Sequence, residues 1–438
     1  MADHERPGRP DGAVSVVRRA PFSDNPRVGA RGQRTQQRIL DAALRAFAEA
    51  GYRGCSIDQI TTLARCSRVS FYQYFANKED VFRQLAGQVA RQVSASTEAL
   101  DPLTPDLVGW EALRAWVARF AEIHARYEPV FHAFEGDEQL AAVARHTGEE
   151  SVTRIRARLE TTTLPPRHLD PVLRLLLECL NRTLDITAMV RSVRPDGYPG
   201  PDIEVAVTDV MHRTLFGIHD GVNVHEPDGP PPRALESGSE MFEMIQPPGA
   251  IDRDAPNGRV LDALLKSGRD VFVERGYHST RVEDLVAAAG VSHGAFYRYF
   301  RNKEELARML TARAVETVGT TVNEIPDISA LDEAAGRSTL RRWLSRYHIA
   351  HMNEARMMRV WIDAALQGPQ LRTESAPIFD WGRRRMARWL SPRGFGDVDM
   401  EAVVLVALLS VFGARQRSAA DVEAAVLVVE RGLLGRSS

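Results

Sequence analysis

The sequence predicts an all-helical protein in which one module of roughly 185 residues is written twice, each copy a three-helix head followed by a helical bundle. Three observations carry that reading. Phe71, Tyr72, Tyr74, Phe75, Asn77, Lys78 and Glu79 recur as Phe296, Tyr297, Tyr299, Phe300, Asn302, Lys303 and Glu304, a constant displacement of 225. Apolar residues in both copies follow helical spacing, as in Ile39, Leu40, Ala43, Leu44 and Phe47, and again in Leu261, Leu264, Leu265 and Phe272. Helix punctuation falls at matching places, with Gly51 and Gly276 closing the first helix and Ser or Asn opening later ones.

The displacement of 225 also superposes Leu40, Phe47, Glu49, Gly51, Tyr52, Ala64 and Ser67 on Leu265, Phe272, Glu274, Gly276, Tyr277, Ala289 and Ser292. Beyond the heads the register drifts. Leu113, Arg114, Trp116, Arg119 and His124 match Leu340, Arg341, Trp343, Arg346 and His351 at 227, and Arg213, Leu215 and Gly217 match Arg431, Leu433 and Gly435 at 218. Such a repeat makes each copy one structural unit.

Taken in order, residues 1–33 read as a disordered basic arm, with arginines at 6, 9, 18, 19 and 27. Residues 34–80 form the first head. Its first helix ends at Gly51, Ser56 caps a short second helix running to about Ala64, a third begins near Ser67, and Asn77 opens a fourth. Residues 81–220 supply the first bundle, and residues 221–256, with Pro230, Pro231, Pro232, Pro247 and Pro248, read as a linker. The second head, 257–305, repeats the pattern with Thr280 as the cap of its second helix and Ser292 and Asn302 opening the next two. The second bundle is 306–438. A short helix, a tight turn and another short helix make a helix-turn-helix, whose second helix enters the major groove of DNA.

The 56 basic and 58 acidic residues nearly cancel, so an anionic partner must be met by a local patch. Lysine occurs only at 78, 266 and 303, and two of the three are equivalent, which argues for a constraint on that ammonium. Apolar stretches reach about eleven residues, short of the ~20 that cross a bilayer, and the start carries no apolar leader segment. Cys55, Cys66 and Cys179 form no CxxC pair, which argues against a disulfide framework or a zinc module and fits a reducing cytoplasm. Neither a GxSxG elbow, a phosphate-cradling glycine loop nor a pair of catalytic carboxylates stands in a supporting context, so an enzyme is disfavoured and no cofactor is expected.

These heads resemble the tetracycline-repressor (TetR) family of bacterial transcription regulators. The second copy carries Phe272, Gly276, Tyr277, Thr280, Val282, Leu285, Ala289, Gly290, Val291, Ser292, Gly294, Phe296, Tyr297, Tyr299, Phe300, Asn302 and Lys303 in the family's order. The first keeps most of these but places Arg65 and Cys66 where the second has Gly290 and Val291, so a non-glycine residue takes a left-handed turn position. The resemblance implies an effector-binding and dimerisation bundle after each head.

Phe71 with Phe75, and Phe296 with Phe300, are four apart and anchor the reading helix to its head. The opposite face then presents Arg68, Val69, Ser70 and Gln73 in copy one and His293, Gly294, Ala295 and Arg298 in copy two. Gln pairs with adenine and Arg with guanine through two hydrogen bonds. Tyr72, Tyr74, Tyr297 and Tyr299 are expected at the groove wall, with Lys78 and Lys303 adding charge beside the phosphates. Packing with a wet hydroxyl is the alternative for the tyrosines, and an exposed helix start for the lysines.

For an effector pocket the candidates are Trp116, Phe120, His124 and Phe131, then Trp343, Tyr347, His351 and Trp361, all at spacings that equally suit a core. No metal is expected at either histidine. The expected protein is a sequence-specific, double-stranded-DNA-binding regulator, a repressor released by a small hydrophobic ligand. It has no membrane partner, and both copies of one chain form an internal pseudo-dimer. A two-chain homodimer presenting four readers, or an activator, is the alternative, with a helical enzyme or adaptor further behind.

Overall fold

The computed structural model of the chain describes residues 29–134, 138–195, 197–219, 221–222, 258–277, 279–367, 369–413 and 416–436. Most of the expected basic arm and nearly all of the expected linker lie outside the described residues. Among the described residues there are helices and no strand, the one extended pairing being an isolated bridge between Leu103 and Leu159.

The first copy contains α1 (Ala30–Gly54), α2 (Ile57–Leu63), α3 (Arg68–Tyr74), α4 (Lys78–Glu98), α5 (Leu107–Phe134), α6 (Glu138–Arg158), α7 (Pro166–Val193) and α8 (Gly200–Phe216). The second contains α9 (Gly258–Arg275), α10 (Val282–Ala289), α11 (His293–Tyr297), α12 (Lys303–Asn323), α13 (Glu333–Gln367), α14 (Pro369–Leu390), α15 (Val398–Gly413) and α16 (Ala419–Leu427), the last continuing as a π-turn over Val428–Leu433. The chain divides into two compact units, one up to Leu85 and one from Ala86 onward.

Each head is held by buried residues at equivalent positions. Ile39, Leu40, Phe47, Ile60, Phe71, Phe75 and Val81 fill the first, and Leu264, Leu265, Phe272, Leu285, Phe296, Phe300 and Leu306 fill the second. The second head also packs on α13, where Met357 joins its core and Arg269 bonds Glu354 at 3.1 Å. Gly51, at φ 67°, interrupts α1 without ending it, whereas Gly276, at φ 76°, follows the last residue of α9. Ser56 caps α2 as expected, accepting from the Gln59 N–H. Thr280 does not cap α10: its hydroxyl donates to the Gly276 carbonyl at 2.7 Å, and Asp284 instead accepts from the Arg281 N–H at the helix start.

In the larger unit α7 and α8 pack against α15, α16 and the π-turn. Cys179 Sγ donates to the Val404 carbonyl at 3.4 Å, joining α7 of copy one to α15 of copy two. Further along, Arg213 Nε donates to Gly432 O at 2.7 Å and Arg431 Nε donates to Thr214 O at 3.0 Å. At the displacement of 218 these are one bond made in both directions. The symmetry is broken beside it. Arg213 and Glu401, both fully buried, pair at 2.5 Å, and Arg393 joins the same carboxylate at 2.7 Å. Arg431 bonds the Thr163 hydroxyl in place of a carboxylate.

Candidate nucleic-acid interface and ligand cavity

The turn before each reading helix needs a residue in the left-handed region, and Gly290 takes φ 65° there without steric cost. Arg65 takes φ 50° at the same place in copy one. Ser67 and Ser292 then cap α3 and α11, accepting from the N–H of Ser70 at 3.1 Å and of Ala295 at 3.2 Å. The aromatic anchors are nearly congruent, with ring centroids 5.7 Å apart for Phe71 and Phe75 and 5.6 Å for Phe296 and Phe300. Tyr72 and Tyr297 each meet the preceding phenylalanine edge-on at 5.4 Å.

On the outward side of α3, Arg68, Val69 and Gln73 are exposed, with Ser70, Tyr72 and Tyr74 half-buried. Val69 is 73% exposed, so its isopropyl group has little part in the core. Arg68 lies 3.4 Å from Asp58 in an exposed ion pair, a weak tether for a surface arginine. In copy two His293, Gly294, Tyr297 and Arg298 are exposed and Tyr299 is half-buried. Ala295 corrects the expectation: it is 6% exposed, because it precedes the anchor Phe296 on a helix of only five residues and turns its methyl toward the head. Arg298 directly follows that helix.

The lysines differ from the simple phosphate-contact expectation. Lys78 Nζ donates to the carbonyls of Tyr52 at 2.7 Å and Cys55 at 3.0 Å, and Lys303 Nζ to those of Tyr277 and Thr280, both at 2.8 Å. Each ammonium also lies over a tyrosine ring, 4.8 Å from Tyr52 and 4.6 Å from Tyr277. The constraint inferred from lysine scarcity therefore has an internal cause: a flexible point charge ties carbonyls at and just past the end of the first helix to the start of the fourth. Burial lowers the Lys303 pKa.

The bundle of the larger unit encloses a cavity of about 560 Å³, walled by both copies. Trp116, Phe120 and Phe131 of copy one and Tyr347 and His351 of copy two lie on its wall. Two expected residues are not wall residues. His124, 2% exposed, donates through Nε2 at 2.8 Å to the Asp185 carboxylate, which His132 also approaches at 3.3 Å. Trp343 is buried with its indole N–H on the Thr321 carbonyl at 2.9 Å. The side chain of Trp361 lies outside the described residues. Hydrogen bonds and charge from the two imidazoles hold the Asp185 carboxyl well below its usual range, although burial alone pushes it up.

Asp185, His132, Asn181 and Arg182 were not singled out from sequence. A carboxylate inside the apolar run of α7, four residues after an asparagine, was the available signal. Burial raises the thiols of Cys55 and Cys66 and pushes Cys179 up to about 12, which disfavours reactive thiolates. Among the described residues no group of three or more His, Cys, Asp or Glu side chains is arranged to hold a metal ion, and no helix is long and apolar enough to cross a membrane.

Two heads of this geometry define a tandem helix-turn-helix protein. The pattern describing bacterial regulatory proteins of the tetR family matches residues 39–85 and again residues 264–310, so the chain carries two TetR-like heads in tandem. A helix-turn-helix-type transcriptional repressor of Streptomyces coelicolor is 28% identical over 117 residues, covering 26% of this chain and 56% of the relative. Another, of Mycobacterium tuberculosis, is 37% identical over 65 residues, 14% of this chain and 35% of the relative. The chain thus spans just over half the length of the first and about a third of the second. A solved tetR-family transcriptional regulator from Streptomyces coelicolor is 19% identical with a TM-score of 0.34, covering 42% of this chain and 82% of that one.

Proposed function

We propose that this protein is a sequence-specific DNA-binding transcription regulator, a repressor released by a small apolar ligand, in which two copies on one chain take the place of two subunits. The reading helices are α3 and α11. Arg68, Val69, Ser70 and Gln73 face bases from the first, His293, Gly294 and Arg298 from the second, and the tyrosines at 72, 74, 297 and 299 address the backbone.

The observation that carries the single-chain reading is the reciprocal exchange between Arg213 and Gly432 and between Arg431 and Thr214. A two-fold interface between separate subunits makes each contact twice by symmetry. Here both halves of one such contact come from a single chain. The cavity supports the ligand response, since its size falls within the roughly 300–1,000 Å³ typical of small-molecule sites.

Selection of bound duplexes from random sequence, followed by titration at increasing salt, tests the DNA-binding part. The expected result is a defined site whose affinity falls steeply with salt as counterions compete. Binding that is absent, or insensitive to salt, contradicts it.

A further inference from the structure

The cavity wall draws on both copies, yet the copies contribute differently at one equivalent place. His124 and His351 correspond at 227. In copy one the imidazole is closed off from the cavity by its bond to Asp185. In copy two His351 and Ser410 both line the cavity. The ring of His351 leans on Gly413 so closely that a methyl group there would sit 2.2 Å from its Cγ. The Nδ1 edge of His351 is turned toward Gly413, and the residue is 7% exposed. Burial pushes its pKa down to about 4, so the ring is neutral at pH 7.

The charges on the wall are largely balanced by their neighbours. Arg174 holds Glu149 at 2.8 Å and 3.1 Å, Arg417 holds Glu178 at 2.9 Å, and Arg182 lies 3.8 Å from Asp185. Such a site has no strong demand for an ionic ligand. Its apolar faces come from Trp116, Phe120 and Phe131 on one side and Tyr347, Trp381 and Met386 on the other.

We propose that the two copies share one ligand site per chain, which takes an uncharged, largely aromatic or polycyclic molecule whose single polar group is bonded by His351 while its body lies against both copies. This rests on the ligand-responsive reading above and specifies it: copy two supplies the polar contact, and copy one, with its histidine committed to Asp185, supplies apolar wall.

The test uses the full chain and two uncharged probes, Nile red, which carries a carbonyl, and diphenylhexatriene, a hydrocarbon. The expected stoichiometry is one probe per chain, abolished by Ala90→Trp from the copy-one side and equally by Val318→Trp from the copy-two side. His351→Phe should weaken Nile red severalfold, up to about tenfold, and leave diphenylhexatriene unchanged, the size of one neutral hydrogen bond. Two probes per chain with each tryptophan removing one, an equal effect of His351→Phe on both probes, or no uptake of either, would overturn the proposal. Release of a bound duplex, read separately by anisotropy, distinguishes this from the function itself: one bound probe with DNA affinity unchanged by any ligand sinks the ligand response but leaves the shared site standing.

Discussion

Two cations a few residues apart in copy two have different jobs. Arg298 is exposed beyond α11, whereas Lys303 is bonded to two carbonyls of its own head. Arg298→Ala is therefore expected to lose about 1–3 kcal/mol of discrimination at one or two base positions. Lys303→Ala should lower affinity for all duplexes alike and also destabilise the head by about 1–3 kcal/mol, since its carbonyls lose a charged donor. Titration of single-base duplex variants beside thermal unfolding checks both, and a uniform loss from Arg298→Ala removes its reading role.

The buried histidines set a pH dependence whose sign follows from their surroundings. Burial holds His212 and His351 each at about 4, below the 6.5 usual for histidine. The unfolded chain thus binds more protons than the folded one between those values. Their contribution is fully present above about pH 6.5 and is lost as pH falls toward 4, by up to roughly 3 kcal/mol for each group. Unfolding midpoints from pH 7 to 4 should fall, and His351→Phe should remove a sizeable part of that fall. An unchanged slope in the variant contradicts the assignment.

The helices of the heads were legible in sequence because their determinants are local: a capping serine, a glycine after a helix, and phenylalanines four apart. Ala295 was misplaced because a five-residue helix is too short for a clean face. The cavity was only half legible. Trp116 and Phe120 share helical spacing with His124, but Asp185 lies 61 residues away and draws the imidazole off the wall. Likewise, the kink at Tyr127, beside Pro129 in α5, alters the direction of the helix before Phe131 and His132. Neither effect has a periodic signature.

The turn before α3 offers an element-scale test. Arg65 occupies the left-handed region that glycine fills in the second head. Arg65→Gly should relieve about 1 kcal/mol of backbone strain, partly offset by the greater freedom of glycine when unfolded, while Gly290→Arg should destabilise the second head by a similar amount. Chemical denaturation of the full chain reads both, and a loss of stability in Arg65→Gly contradicts the strain.

Across the larger unit, symmetry and its breaking have separate uses. The arginine exchange treats the copies as equals, but the Arg213–Glu401 pair does not, because Arg431 bonds the Thr163 hydroxyl where Arg213 has a carboxylate. Glu401→Gln leaves Arg213 and Arg393 buried without their shared counter-charge and should cost about 3–5 kcal/mol. A loss below about 1 kcal/mol would show that the charge itself contributes little.

The difference between the reading faces also belongs to this scale. Arg68, Val69 and Gln73 do not match His293, Gly294 and Arg298, so a single-chain regulator calls for an operator of two unlike half-sites. Sedimentation of the full chain on its selected duplex tests the central claim most directly: the account predicts one chain per duplex on an asymmetric site, and a tight two-chain assembly on a perfect palindrome would contradict it.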